Sequence, residues 1–423
     1  MDRRVHARPT PLRPDYPGRR PFHVHGAPLT TIIVGGGIVG AAVAYFFAER
    51  REPDVLLLER GRLGEGTSKG GLGGIRTQFV DELDVRMSKL AIQFWRNYDD
   101  ITGARHDFHQ RGYLFIATTD EGLEQLRASM PLYERLGVNV EMVDRVTIND
   151  LVPGMRVDDL AGGRFGAEDG YGDPLQALAG FAAFAQLAGV RIREGVTVRE
   201  LVRNGDRVTG VRTDDGVLSA DRVLLATGCW TAALAATVNV HVPIWPYARS
   251  IMESQPIPRL GRTPMTIEWE SGFHFRTAQI GTVVRFAMPN INQDGSIEKG
   301  PSGPPSRFPG DYPPLVVPPA LEPWTKERAA WRHPLFAELS IRSSWACYYE
   351  MTPDDHPIVG AVPGVEGLYI AAGFSGHGFM HSPATARLVV EEMLDGNARA
   401  LDISDLSLER FQAGRRPFTA TVL

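Results

Sequence analysis

The stretch Leu29-Thr30-Thr31-Ile32-Ile33-Val34-Gly35-Gly36-Gly37-Ile38-Val39-Gly40 runs a short apolar segment straight into glycines spaced Gly35-x-Gly37-x-x-Gly40. A helical pattern follows through Glu49, and Val55 to Leu58 reads as a second strand ending at Glu59. This β-turn-α-β unit has a mechanism. Gly35 permits the tight turn, Gly37 lets the backbone approach a pyrophosphate, and Gly40 lets helix and strand pack closely. The helix start at Ile38 and Val39 offers unpaired N–H groups and the positive end of the helix dipole to phosphate. Glu59, with Arg60 beside it, stands where an acid accepts hydrogen bonds from ribose hydroxyls. The expected ligand is a dinucleotide, FAD or NAD.

At 423 residues the chain exceeds what one hydrophobic core usually serves, so two domains built around a shared site are expected. Hydrophobic residues make up 43% and charged residues 22%, ordinary globular values. A formal net charge of −5 with scattered Lys and Arg leaves no basic footprint for nucleic acid. No apolar run approaches the ~20 residues that span a bilayer. Residues 1–28 carry arginines between prolines without the apolar stretch of a secretory signal, and read as a flexible extension. With Cys229 and Cys347 alone, a disulfide scaffold is excluded and a reducing compartment, the cytoplasm, is expected. No metal centre is expected.

Further along, Gly64 to Arg76 reads as a polar, glycine-rich loop feeding a helix from Leu83 to Tyr98. Tyr113–Ala117 reads as a strand, 121–136 as one helix and 138–143 as a strand. Asp173-Pro174 places a capping side chain before a first-turn proline, predicting a helix that closes at Gly189. Segments 190–193, 196–203, 207–213 and 223–226 alternate with Asn204-Gly205 and Asp215-Gly216 turns, which predicts one hairpin-bearing sheet. The proline-rich stretch 301–323 cannot form a core element, and regular patterning resumes near Trp324.

A second glycine loop, Gly373-Phe374-Ser375-Gly376-His377-Gly378, follows the apolar run Leu368–Ala372 and precedes a helix expected from about Pro383 to Leu394. A helix N-terminus there would stabilise negative charge on a reduced flavin ring. A third region, Trp345-Ala346-Cys347 through Met351-Thr352-Pro353-Asp354, says little by composition alone.

Taken together these segments resemble the glycine/D-amino-acid oxidase family of flavoproteins, especially the branch of monomeric sarcosine oxidase, sarcosine oxidase beta-subunit and proline dehydrogenase. The resemblance runs from about Leu29 to Phe411. It rests on the first glycine triplet with Glu59, on Gly66-Thr67-Ser68-Lys69-Gly70-Gly71 leading through Gly73 to Gly74-Ile75-Arg76, and on Ala226-Thr227-Gly228-Cys229-Trp230-Thr231. Met351-Thr352-Pro353-Asp354 and Gly373-Phe374-Ser375-Gly376-His377-Gly378-Phe379 complete it. The family implies FAD, bound covalently or not, and oxidation of an amine to an imine. It implies that Arg76 receives a substrate carboxylate, that Cys347 holds the position of a thioether link to FAD, and that Val198 holds the adenine through its backbone. Met380 stands where that branch has a lysine, and Val284 and Arg285 replace an oxygen-activating lysine. Lys69, on the loop expected near the flavin, is either a substitute cation for that role or a solvated loop lysine.

The resemblance implies an α/β (α+β) chain. A Rossmann-like FAD-binding domain of the glutathione-reductase/p-hydroxybenzoate-hydroxylase type, at 29–108, 160–235 and 340–411, is interrupted by an antiparallel-sheet substrate domain at 109–159 and 236–339. Residues 412–423 form a tail. Hydride passes from the α-carbon to flavin N5, and oxygen or a partner protein takes the electrons. Arg76, Lys69, His377, Tyr247 and His274 are candidate catalytic residues, and Arg249 and Arg276 join Tyr247 and His274 on substrate-domain strands that could line the cavity. A quinone-linked dehydrogenase, an aromatic monooxygenase and a non-catalytic flavin-binding assembly factor remain alternatives.

Overall fold

The computed structural model describes residues 31–278, 281–287 and 312–412. The extension 1–28, Leu29, prolines 301–311 and nearly all of the tail lie outside them. A six-stranded sheet runs in the order Ile358–Ala361, Leu368–Ala372, Arg222–Leu225, Thr31–Val34, Val55–Leu58, Arg191–Arg193. All neighbours are parallel except the first pair. Its central strands read as unbroken apolar runs because both faces are covered. Ile33, Leu57 and Leu224 face one core with helices Ile38–Glu49, Pro174–Leu187 and Gly378–Asp395. Their neighbours Ile32, Val34, Leu56, Leu58 and Leu225 point the other way, against a three-stranded antiparallel sheet. This is the period-2 alternation of a strand placed between two layers.

The second large sheet has eight strands, with Trp245–Ser254, Val283–Ala287, His274–Ala278, Met265–Glu268 and Tyr113–Ala117 in its middle and Ile341–Met351 at one edge. Its register decides which side chains share a face, since residues directly opposite project to the same side. Arg249 pairs with Cys347 and Tyr247 with Tyr349. Ile251 and His274 both pair with Ala287, and Arg276 pairs with Arg285. Tyr247, Arg249, His274 and Arg276 therefore share one face with Cys347 and Tyr349. The opposite face packs Met252, Phe273, Phe275 and Phe286 with helix Leu321–Arg332.

Several local expectations change. The segments expected to form one hairpin sheet divide: Val198–Asn204, Arg207–Thr213 and Gly216–Ser219 form the small sheet, while 191–193 and 222–225 join the parallel one. The helix expected over 121–136 breaks into Asp120–Arg127 and Met130–Leu136, with Pro131 opening the second. The last long helix starts at Gly378, not near Pro383. Pro383 cannot donate to the Phe379 carbonyl, and the Ser382 hydroxyl donates to that carbonyl instead at 2.9 Å. Strands Gly162–Gly166 and Ile341–Met351, read from sequence with the nucleotide-binding segments, pair in the eight-stranded sheet. No helix among the described residues is long and apolar enough to cross a membrane.

Candidate active site and cofactor cavity

A cavity of about 840 Å³ opens where the first glycine loop meets the edge strand of the large sheet. It lies toward the upper end of the roughly 300–1,000 Å³ usual for small-molecule sites. Gly35 has φ +108°, and a Cβ there would collide with the Ala226 carbonyl; a Cβ on Gly40 would collide with the Gly35 carbonyl. Gly37 differs: its added Cβ would meet only the Ser68 Oγ, at 3.3 Å, on the cavity side. Two glycines thus hold helix against strand, and the third leaves room for a ligand. The Ile38 amide donates to Ser68 Oγ at 2.9 Å, and Val39 is buried one position on.

Glu59 lines the cavity and accepts hydrogen bonds from the Gly36 amide at 2.7 Å and the Gly61 amide at 2.8 Å. A carboxylate has further lone pairs, so this grip pre-orients it toward a ribose. Arg60 stacks 3.9 Å over the Trp230 ring, and both line the cavity with Thr67, Lys69 and Val198. Ala226, Thr227, Gly228 and Cys347 complete that wall. A Cβ on Gly70 would overlap the Cys347 side chain, so the Thr67–Gly71 loop passes against the thiol. Burial pushes the Cys347 thiol up to about 11, with Arg249 opposing it. These features fit FAD: an anion-receptive helix start, a placed acid, an aromatic wall and volume for an extended ligand.

The second glycine loop packs against the strand that carries Cys347. Gly373 has φ +83° and Gly376 φ +93°, and a Cβ on Gly376 would press on the Tyr349 ring at 2.5 Å. The Glu350 carboxylate accepts from the Gly373 amide at 2.8 Å, and the Ser375 amide donates to the Glu350 carbonyl at 3.0 Å. Burial raises Glu350 to about 7 despite that amide. Phe374 and Ser375 are buried, His377 is the N-cap of the helix, and Gly378, Phe379 and Met380 form its first turn.

Arg76 is 6% exposed, next to the short strand Gly74–Ile75, and so is no surface helix-start residue. Gly73, at φ +77°, makes the turn before it. The Arg76 guanidinium lies 3.3 Å from His377 Nε2 and 4.5 Å from the centre of the Phe79 ring, and its Nε has no partner. Among the described residues no carboxylate forms an ion pair with it. Burial, then Arg76 itself, holds His377 well below the usual imidazole range, so it stays neutral. His274 is buried and pushed down to about 4, and its Nδ1 lies 2.9 Å from the Gly272 carbonyl. Arg276 bonds the Leu72 carbonyl and lies over the Tyr171 ring. Tyr247 lies on the shared face at the edge of this group. Arg76 and His377 meet in a buried pair against Phe79, His274 stands on the neighbouring sheet face, and Lys69 belongs to the cofactor cavity.

Residues that the sequence reading left without a role also stand here. Tyr349 follows Cys347 by two, so strand alternation alone could have put it on the cavity face. Asp169 accepts from the Thr77 amide and the Gln78 side chain at 2.8 and 2.9 Å, which fixes the chain just after Arg76; burial lifts it to about 6. No local signal marked it. Met351-Thr352-Pro353-Asp354 proves to be a structural tie. Asp354 takes Arg410 through two bonds, of 2.8 and 3.1 Å, with both residues buried.

A sequence model of the DAO family, described as FAD dependent oxidoreductase, matches residues 30–392. The 4-methylaminobutanoate oxidase (formaldehyde-forming) of Paenarthrobacter nicotinovorans is 28% identical over 395 residues, covering 92% of this chain and 46% of that protein. This chain thus spans about half that relative's length. D-amino acid dehydrogenase of Cereibacter sphaeroides is 30% identical over 338 residues, covering 78% of this chain and 72% of the relative. The crystal structure of L-proline dehydrogenase from P. horikoshii superposes with a TM-score of 0.83 at 27% identity, covering 92% of this chain and 98% of that one. The match reaches from the strand before the first glycine loop into the helix after the second, and the chain belongs to the DAO family of FAD dependent oxidoreductases.

Proposed function

We propose that this chain oxidises the C–N bond of a small amino-acid-like amine to an imine. The observation that carries this is Arg76, a buried guanidinium with no carboxylate partner among the described residues, set beside the neutral His377 of the second glycine loop. A buried cation is costly unless paired, and a planar fork matches a carboxylate. FAD supplies the hydride acceptor. Arg76 holds the substrate carboxylate, and His377 orients the guanidinium by accepting from it. Loss of an α-hydride requires the amine to bind uncharged, which the positive charge of Arg76 nearby favours. The aromatic walls of Phe79, Tyr113 and Tyr349 exclude water. The parallel sheet and its helices carry FAD, and the eight-stranded sheet carries the substrate. Gly35, Gly37, Glu59 and Val198, which line the cavity, are the FAD contacts, Gly40 keeps the helix start in place, and the 373–378 loop stands toward the substrate end with Arg76.

The acceptor for the electrons is oxygen or a partner. Arg285, on the strand where relatives of the sarcosine oxidase branch place a lysine, is paired with Glu253 at 2.7 Å, which lowers its value as an oxygen-activating cation. That pairing favours a dehydrogenase that passes electrons to a protein or quinone. Anaerobic mixing with N-methyl, cyclic and D-amino acids tests the main reading: one class bleaches the flavin. No bleaching by any amine contradicts it.

A further inference from the structure

We infer that the substrate carries two carboxylates, one held by Arg76 and the other by Arg249; this rests on the amine-oxidising reading above. Arg249 stands mid-strand opposite Cys347, so its side chain leaves the sheet on the face that carries Cys347 and Tyr349. Its guanidinium carbon lies 5.6 Å from the Tyr247 ring centre and 5.3 Å from that of Tyr349. Among the described residues no carboxylate pairs with it. The same face shows what pairing looks like, in Arg285 with Glu253.

The path from Arg249 to Arg76 is short and continuous. The Tyr349 ring lies beside Arg249 and packs on Gly376, and His377 next in sequence lies 3.3 Å from Arg76. Tyr349, Gly376 and His377 thus link the two cations, and both cations oppose protonation of His274. A monocarboxylate bound to Arg76 would leave Arg249 without an anion. A second carboxylate at the far end of the substrate satisfies its fork in a bidentate manner, while the Tyr247 and Tyr349 rings hold its plane. The chemical class is an amino dicarboxylic acid with a primary or N-alkylated amine.

The test uses the FAD-loaded enzyme and ligands that cannot be oxidised. Glutarate and butyrate are titrated while the flavin absorption is followed. Glutarate binds more tightly, by about tenfold or more, since one charge-assisted contact contributes roughly 1.5–3 kcal/mol. Arg249→Met collapses that ratio, and Arg249→Lys restores part of it, with FAD content measured in each variant to exclude misfolding. Equal affinities in the native enzyme, or a ratio that survives Arg249→Met, overturn the assignment. N-methylglutamate and N-methylnorvaline are then offered without oxygen. Bleaching by both with equal affinity removes the dicarboxylate assignment and leaves amine oxidation standing. A glutarate preference that depends on Arg249, with no amine able to bleach the flavin, keeps the two-cation site and removes the amine chemistry.

Discussion

Arg76→Lys separates carboxylate recognition from cofactor binding. The guanidinium is 6% exposed, approaches His377 at 3.3 Å and has further donors left for a ligand. Lysine keeps the charge but replaces the planar fork with a shorter-reaching point donor that cannot serve His377 and both carboxylate oxygens together. Losing one charge-assisted bond costs about 1.5–3 kcal/mol, which is roughly a 10- to 100-fold fall in kcat/KM. Arg76 does not line the 840 Å³ cavity, so FAD content is expected to hold. The assay is anaerobic flavin reduction with an amino acid and with the same amine lacking its carboxylate. The acid loses rate and affinity, and the amine changes little. An unchanged kcat/KM for the acid, or an equal loss on both, refutes the placement of a carboxylate on Arg76.

Other perturbations follow from the same geometry. Gly37→Ala retains the fold but loses FAD, because its methyl enters ligand space, whereas Gly40→Ala collides with the Gly35 carbonyl and lowers stability; thermal melts and flavin content distinguish the two. Glu350, raised by burial from 4.5 to about 7, contributes stability that is complete below pH 4.5 and is lost as pH rises through 7, a swing of about 3 kcal/mol. Glu350→Gln therefore stabilises the protein relative to the native chain at pH 8 and not at pH 4; a pH-independent difference contradicts this. Asp354→Ala removes the carboxylate that Arg410 grips in the buried pair and costs about 3 kcal/mol in denaturant unfolding. For Cys347, acid precipitation decides between tether and packing: with its thiol pushed up to about 11, the expected pellet is colourless, and a yellow pellet lost in Cys347→Ser would establish a covalent bond.

Of the parallel core, Thr31–Val34, Val55–Leu58 and Leu368–Ala372 were legible, because each is a short, almost wholly apolar run that leads into a glycine loop or the acid after it. Asp173 caps the helix beginning at Pro174, as its position before a proline announces. The failures were of two kinds. Pro383 looked like a helix start, but a serine one residue earlier takes over the carbonyl that proline leaves unserved, and no local pattern shows such a substitute. The hairpin strands and Arg191–Arg193 carry similar short apolar patterns, and only packing assigns them to different sheets. In the site, Gly35, Gly37 and Gly40 could be read from spacing. The meeting of Arg76 with His377 spans 301 positions and had no local sign. Tyr247, Arg249, His274 and Arg276 could be named as strand residues, but the face they share depends on pairing register across three strands.

The central claim is direct two-electron oxidation of an amine by the bound flavin, and anaerobic product stoichiometry tests it. One equivalent of substrate should bleach one equivalent of FAD and release one equivalent of the aldehyde or keto acid that forms when the imine hydrolyses, with no nicotinamide added. Flavin that stays oxidised until NADH or NADPH is supplied, followed by a hydroxylated product, would contradict the account.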